Sequence, residues 1–151
     1  MIYLASDHRG FLLKEEIKRF LLGVGADIKD MGPDQFVPTD DYADYAETVC
    51  NKIVKNPAMD KGILICGSGH GMDMVANKYK GIRAALVFNE KVAIQSREHE
   101  DANILVLASD WIKAHEAKVI IKAWLETKFS GEERNVRRLK KIVEIEKKNF
   151  K

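Results

Sequence analysis

The sequence predicts a doubly wound α/β fold: a parallel sheet of five strands between two layers of helices. Three observations carry this expectation. Short apolar runs alternate with longer segments of helical period along the chain. The apolar run Lys61–Cys66 passes at once into Gly67-Ser-Gly-His-Gly71, a glycine-rich turn of the kind that delivers a strand to a helix. Finally, 151 residues suffice for one ordinary domain with a real core, but not comfortably for two.

The elements follow from pattern. Ile2–Ser6 reads as a first strand. Phe11–Leu22 carries Leu13, Ile17, Phe20 and Leu21 on one helical face, and Gly23 and Gly25 end it. Ala26–Met31 is a modest second strand before the loop opened by Gly32-Pro33-Asp34. Tyr42–Val54 is helical, Lys61–Cys66 is the third strand, and Met72–Tyr79 is the third helix. Ile82–Phe88 is a fourth strand, Lys91–Arg97 a short helix, and Ile104–Ala108 a fifth strand. Trp111–Lys128 is a long helix with Ala117, Ile120, Ile121 and Trp124 on one face. A tail helix over about Glu132–Lys148 carries Val136, Leu139, Ile142 and Val143. With no linker, repeat or low-complexity stretch, residues 1–151 read as a single domain.

Composition narrows the class. Hydrophobic residues make up 46% and charged residues 32%, as in a soluble globular protein. No apolar run approaches the roughly 20 residues of a membrane helix, and Met1 leads into a strand rather than a signal peptide. Cys50 and Cys66 form neither a disulfide framework nor a metal-ligand spacing, so the expectation is a reducing cytoplasm and no metal. A net charge of +2 is too small to suggest nucleic acid. The charge is uneven, however. From Gly131 to Lys151 there are eight Lys/Arg against four Glu, net +4, which leaves net −2 for the rest. Such a tail is either a solvated face or a source of arginines for a phosphate. Arg134 and Arg138 lie one helical turn apart and can act as a fork.

A doubly wound sheet brings the loops after its strands to one rim. Asp7 and His8 follow the first strand, Cys66–Gly71 the third, and Ser109-Asp110 the fifth. His99 precedes the fifth strand, so its place on that rim is less secure. Cys50, on a helix, fits core packing. Cys66 differs, because the glycines after it strip side-chain cover and expose backbone donors. A potential base beside an anion-stabilising loop suits proton transfer on a carbonyl compound. Each histidine has a plainer reading. His8 can cap the first helix with Asp7, His99 can be solvated within Arg97-Glu-His-Glu-Asp101, and His70 and His115 can be surface residues. The turn only partly fits a dinucleotide fingerprint: Met72 stands where the last glycine belongs, although Glu90 falls near the place of the ribose-binding acid. There is no phosphate-loop, C-x-x-C or Ser/His/Asp signature.

Taken together, Ser6–Lys14, Thr39–Ala46, Gly62–Lys78, Gly81–Ala84, Ser96–Asn103 and the pair Arg134 and Arg138 resemble the type B ribose-5-phosphate isomerases, relatives of galactose-6-phosphate isomerase. The resemblance spans nearly the whole chain. It implies a Rossmann-like three-layer α/β/α fold and a cofactor-free, metal-free aldose–ketose isomerisation through a cis-enediolate, a step of the pentose phosphate pathway. By the same resemblance, Cys66 is the base moving a proton between C1 and C2, its thiolate favoured by nearby N–H groups and a helix N-terminus. The amides of Gly67, Ser68, Gly69, His70 and Gly71 form the anion hole, and the Ser68 hydroxyl relays a proton between O1 and O2. His99 opens the furanose ring with help from Asp7, and His8, Arg134 and Arg138 hold substrate and phosphate. The site is expected at a homodimer interface, within a dimer or a tetramer, with the 131–151 tail packed on the partner subunit.

Three departures bear on specificity. Asp110 stands where the family usually has arginine, Glu100 where it has asparagine, and Asn135 where it often has histidine. Either the two acids turn outward or pair with Arg97, Arg137 or a lysine, or they accept hydrogen bonds from the hydroxyls of a different sugar. A partner-dependent sugar-phosphate-binding subunit is the third alternative, and retention of Cys66, Ser68, Asp7 and His99 argues against it.

Overall fold

The computed structural model describes residues 1–150; Lys151, the end of the predicted tail, lies outside the described residues. The chain forms β1 (Ile2–Ser6), α1 (Phe11–Gly23), β2 (Ile28–Asp30), α2 (Tyr42–Ile53), β3 (Lys61–Cys66), α3 (His70–Ala76), β4 (Ala84–Leu86), α4 (Glu90–Glu100), β5 (Ile104–Ala108), α5 (Ala114–Glu126) and α6 (Glu133–Asn149). All strand pairs are parallel, in the order β2-β1-β3-β5-β4. Among the described residues, no helix is long and apolar enough to cross a membrane.

Alternation along the central strands sorts the core into two layers. Ile63 and Ile65 of β3, with Leu105 and Leu107 of β5, pack among Ile17 of α1, Ala93 of α4 and Trp124 of α5. Leu64 and Cys66, with Ile104 and Val106, face Val49 and Cys50 of α2 and Met72 of α3. Cys50 is a packing residue: it is fully buried, and burial pushes its thiol up to about 12.

Boundaries differ where packing overrides pattern. β2 and β4 are three-residue strands, shorter than their apolar runs, because each has a ladder partner on one side only. Gly69 takes φ 79°, so α3 starts at His70, two residues ahead of the predicted start, and ends at Ala76. The predicted short helix 91–97 is an eleven-residue helix that takes in His99 and Glu100. Its length was masked by a run of charges that turn out to be structural. Arg97 is buried, pairs with Asp101 at 2.7 Å and lies 5.5 Å from the centre of the Trp124 ring.

The tail forms the predicted helix, α6, but buries little of it. Asn135 is its buried residue, bonded to Ser130 Oγ at 3.0 Å, while Ile142 and Val143 of the apolar stripe are 38% and 41% exposed. Polar bonds hold both ends: Ser130 N, just ahead of α6, donates to Glu98 O, and near its far end Gly81 N donates to Glu146 Oε1, each at 3.0 Å.

Candidate active site

The strand order locates the site. From β1 the chain leaves toward β2, and from β3 it leaves toward the other edge, so the loops after these neighbouring strands part and open a crevice at their carboxyl ends. Asp7–Arg9 line one side of that crevice and Cys66–Gly71 the other. Backbone bonds stitch the two sides together and join them to the loop after β5. Asp7 N donates to Ile65 O at 3.2 Å, Ser109 N to Cys66 O at 2.9 Å, and Asp110 N to Gly67 O at 3.0 Å. The Ser109 hydroxyl reaches Arg9 O at 3.0 Å and Cys66 O at 3.2 Å. Glycine is required at several of these close approaches. A Cβ at Gly10 would run into Ile65 O, and one at Gly71 would lie 2.5 Å from the Tyr42 ring.

At the centre is Cys66, 3% exposed. Its thiol is pushed up by burial, drawn down by the backbone N–H groups of Met72 and Gly69, and pushed up again by the carboxylates of Asp7 and Asp110. The turn's N–H groups favour the thiolate as expected, but burial outweighs them and the balance lies above an ordinary cysteine. The N–H groups of two residues in the turn, Gly69 and Met72, lie close enough to the sulfur to favour its ionised form. The His70 amide instead bonds Ser68 Oγ at 3.3 Å, which fixes the serine hydroxyl within the turn, while the His70 side chain is exposed.

Asp7 is 4% exposed and its carboxyl is raised, chiefly by burial, although its Oδ1 accepts the Gly10 N–H at 3.0 Å. His8 does not cap α1. Its amide and its Nδ1 both face Asp40 Oδ1, at 2.9 and 2.7 Å. Asp110 does face the crevice, where its Oδ2 pairs with Arg9 Nη2 rather than with Arg97, Arg137 or a lysine. The structure therefore adds Arg9, Asp40 and the Met72 amide to the residues singled out from sequence, and gives Ser109, already placed on this rim, its bonds to Arg9 O and Cys66 O. Arg9, Asp40 and Met72 fell inside the matching blocks Ser6–Lys14, Thr39–Ala46 and Gly62–Lys78, but nothing in the sequence assigned any of them a role at the site.

The remaining candidates stand elsewhere. Helix α4 runs back along the sheet, so His99 and Glu100 sit at the amino ends of the strands. There Arg83 Nε donates to Glu100 O at 3.0 Å and Asn103 N donates to Arg83 O at 3.0 Å. Glu100 borders a hollow of about 350 Å³ shared with Arg83, Ile142 and Glu146. Arg134 and Arg138 are exposed on α6, with Arg134 Nε 2.9 Å from Glu132. One protomer thus brings Asp7, His8, Cys66, Ser68 and Asp110 together at one end of the sheet. It holds His99 and Glu100 at the other end, beside the anchored start of α6 that carries Arg134 and Arg138.

Comparison with known proteins adds to this picture. The ribose/galactose isomerase family model matches residues 2–142. The chain is 38% identical over 147 residues to ribose-5-phosphate isomerase B of Escherichia coli strain K12, covering 97% of each. Among solved structures it is similar to ribose-5-phosphate isomerase B from Mycoplasma genitalium with bound ribulose-5-phosphate, at TM-score 0.95 and 43% identity, covering 98% of this chain and 97% of that one. It is also similar to ribose-5-phosphate isomerase B of Clostridium thermocellum, at TM-score 0.92 and 41% identity, covering 97% of each chain.

Proposed function

The chain belongs to the ribose/galactose isomerase family, and from that premise we propose that it interconverts ribose 5-phosphate and ribulose 5-phosphate through a cis-enediolate, as a single-domain cytoplasmic enzyme. The observation that carries the mechanism is the Cys66 thiol at the end of β3, beneath the Gly69 and Met72 amides and beside Asp7. As thiolate, Cys66 takes the C2 proton of the open-chain aldose. The electron pair moves through the C1–C2 bond onto O1, where the N–H groups of the Gly67–Gly71 turn stabilise the charge. Ser68 shuttles a proton between O1 and O2, and the thiol returns its proton to C1. A base whose resting pKa is raised by burial is well matched to a carbon acid, since it accepts the proton strongly once ionised.

The separation of His99, Arg134 and Arg138 from Cys66 supports a composite site. In this reading a second copy supplies His99 for ring opening and the two arginines for phosphate, and α6 covers its exposed stripe on that partner within a dimer or tetramer. Asp110 is held by Arg9, which favours the ribose 5-phosphate reading over a pocket rebuilt for another sugar.

Two variants test both parts. Cys66→Ala abolishes turnover of ribose 5-phosphate but still binds it, as does His99→Ala, assayed with the closed furanose. Unfolded together and refolded as a mixture, the two inactive variants regain about a quarter of wild-type activity, because half the dimers are mixed and each mixed dimer holds one intact site. Full activity in Cys66→Ala moves the base elsewhere, with Asp7, the buried carboxylate beside Cys66, the first candidate. No recovery on mixing removes the shared site.

A further inference from the structure

The loop after β1 carries a cation that the isomerase mechanism leaves unused. Arg9 folds back over the glycine turn, so that a Cβ on Gly67 would lie 2.6 Å from its Nε and 2.9 Å from its Cζ. The guanidinium end of the side chain therefore packs directly over Gly67, the residue that follows Cys66. Its position is fixed from two sides. The Nη2 group donates to Asp110 Oδ2, and the backbone carbonyl of Arg9 accepts the Ser109 hydroxyl at 3.0 Å. Both partners come from the loop after β5, so the first and last strands of the site hold Arg9 between them.

The charge balance of the crevice gives the pair a purpose. Three carboxylates lie close together here: Asp7, Asp40 beside His8, and Asp110. A sugar phosphate brings close to two more negative charges. Without Arg9, the crevice would present mainly repulsion to such a ligand. With it, Asp110 is neutralised, and the guanidinium still has donors to spare. One of its five N–H groups goes to Asp110, and among the described residues it makes no other hydrogen bond, while the side chain is 57% exposed. A planar fork with open N–H groups, held in orientation by a carboxylate behind it, is suited to an oxyanion in front of it.

We propose that Arg9 is a substrate-binding residue that holds the phosphate of the sugar at the Gly67 side of the crevice, and that Asp110 is the positioning residue that aims it. The proposal rests on the isomerase reading above and assigns to this protomer a phosphate contact separate from Arg134 and Arg138. It also gives Asp110, an acid at the mouth of an anion site, a role consistent with that site. The carboxylate reaches the ligand through Arg9.

The test is a double-mutant cycle on the full-length protein, read as KM and kcat for ribose 5-phosphate and as inhibition by inorganic phosphate. Arg9→Ala is expected to raise KM and the phosphate inhibition constant together, roughly ten- to hundredfold, with kcat changed far less. Arg9→Lys recovers part of the loss. Asp110→Asn raises KM several-fold in the wild-type background, because Arg9 loses its orientation. In the Arg9→Ala background the same change lowers KM, because an unpaired carboxylate no longer faces the dianion. A merely structural role for the pair gives no such reversal of sign. Unchanged KM and phosphate inhibition in Arg9→Ala overturn the proposal, and the same direction for Asp110→Asn in both backgrounds overturns the positioning role. The isomerase reading fails differently, through a wild-type protein that turns over no pentose phosphate. In that event equilibrium binding of inorganic phosphate to wild type and Arg9→Ala still decides whether Arg9 holds an anion.

Discussion

Replacing Gly69 by alanine should damage both stability and catalysis, by amounts that follow from its geometry. Gly69 has φ 79°, a conformation that costs an L-residue about 1–2 kcal/mol. Its new Cβ would overlap Leu86 Cδ1, while Val106 Cγ1 at 3.5 Å and Ala108 Cβ at 3.6 Å close the pocket on the far side at ordinary contact distance. Overpacking of that kind adds about 1–3 kcal/mol. The sum, about 2–5 kcal/mol, is a large share of the ~5–15 kcal/mol that holds a domain of this size together. The Gly69 N–H also lies close to the Cys66 sulfur, and relief of the overlap swings it away. Loss of one such donor lowers kcat by about 10²–10³. Urea unfolding gives the first quantity. Turnover of ribose 5-phosphate, at a temperature where the variant is fully folded, gives the second. Gly23→Ala is the control, since Gly23 ends α1 with nothing within 4 Å of its would-be Cβ; it should be neutral or stabilise by up to about 1 kcal/mol. A Gly69→Ala protein as stable and as active as the Gly23→Ala protein would refute the reasoning.

Because burial and neighbouring carboxylates push the Cys66 thiol up, the acid limb of kcat/KM should lie above an ordinary thiol's ~8.5, and Asp110→Asn should move it to lower pH. A limb that stays put argues against the thiol as base. Lys14 is fully buried, 2.7 Å from Asp30, which Lys18 also reaches at 2.7 Å. Lys14→Met should therefore cost about 2–4 kcal/mol in denaturant unfolding, less than a lone broken pair because Lys18 remains. Although burial alone would raise it, Asp30 is held below its ordinary value by the two lysines and the Gly32 N–H. A depressed carboxyl contributes stability above its unfolded value of ~3.9 and loses it as pH falls through the folded one, so wild type should lose stability below about pH 4 more steeply than Lys14→Met. Ile142→Glu, on the uncovered stripe of α6, should weaken self-association in sedimentation and activity in parallel; loss of activity in an intact oligomer would separate the two.

Much of this architecture could be read from pattern. β1, β3 and β5 have the predicted bounds, since central strands buried on both faces write continuous apolar runs such as Ile104–Ala108. Edge strands and helix ends were harder. α4 hid its last turn behind Arg97, whose charge suggested solvent while its stem and guanidinium were packing on Trp124. The Cys66 turn was legible because glycines have few other reasons to cluster after a strand. Arg9 was not, because nothing local marks a surface arginine whose partner, Asp110, lies 101 residues away. Nor does spacing reveal that His99 ends up opposite Cys66. That depends on the direction in which α4 returns.

The order β2-β1-β3-β5-β4 also sets a schedule for synthesis. β4 leaves the ribosome before β5, yet β5 is the one strand to which it bonds. Until residues 104–108 emerge, Ala84–Leu86 has no ladder, and the outer flank of β3, one of the most apolar strands in the chain, is an open edge. A nascent chain stalled near residue 103 is therefore complete on the β2 side and adhesive on the other. The last strand to arrive is the wedge that closes the sheet, and it brings with it the loop that pins Arg9 and Cys66. The two walls from β1 and β3 can pair earlier, but the loop that pins Arg9 and Cys66 across them is not made until nearly three quarters of the protein has been synthesised.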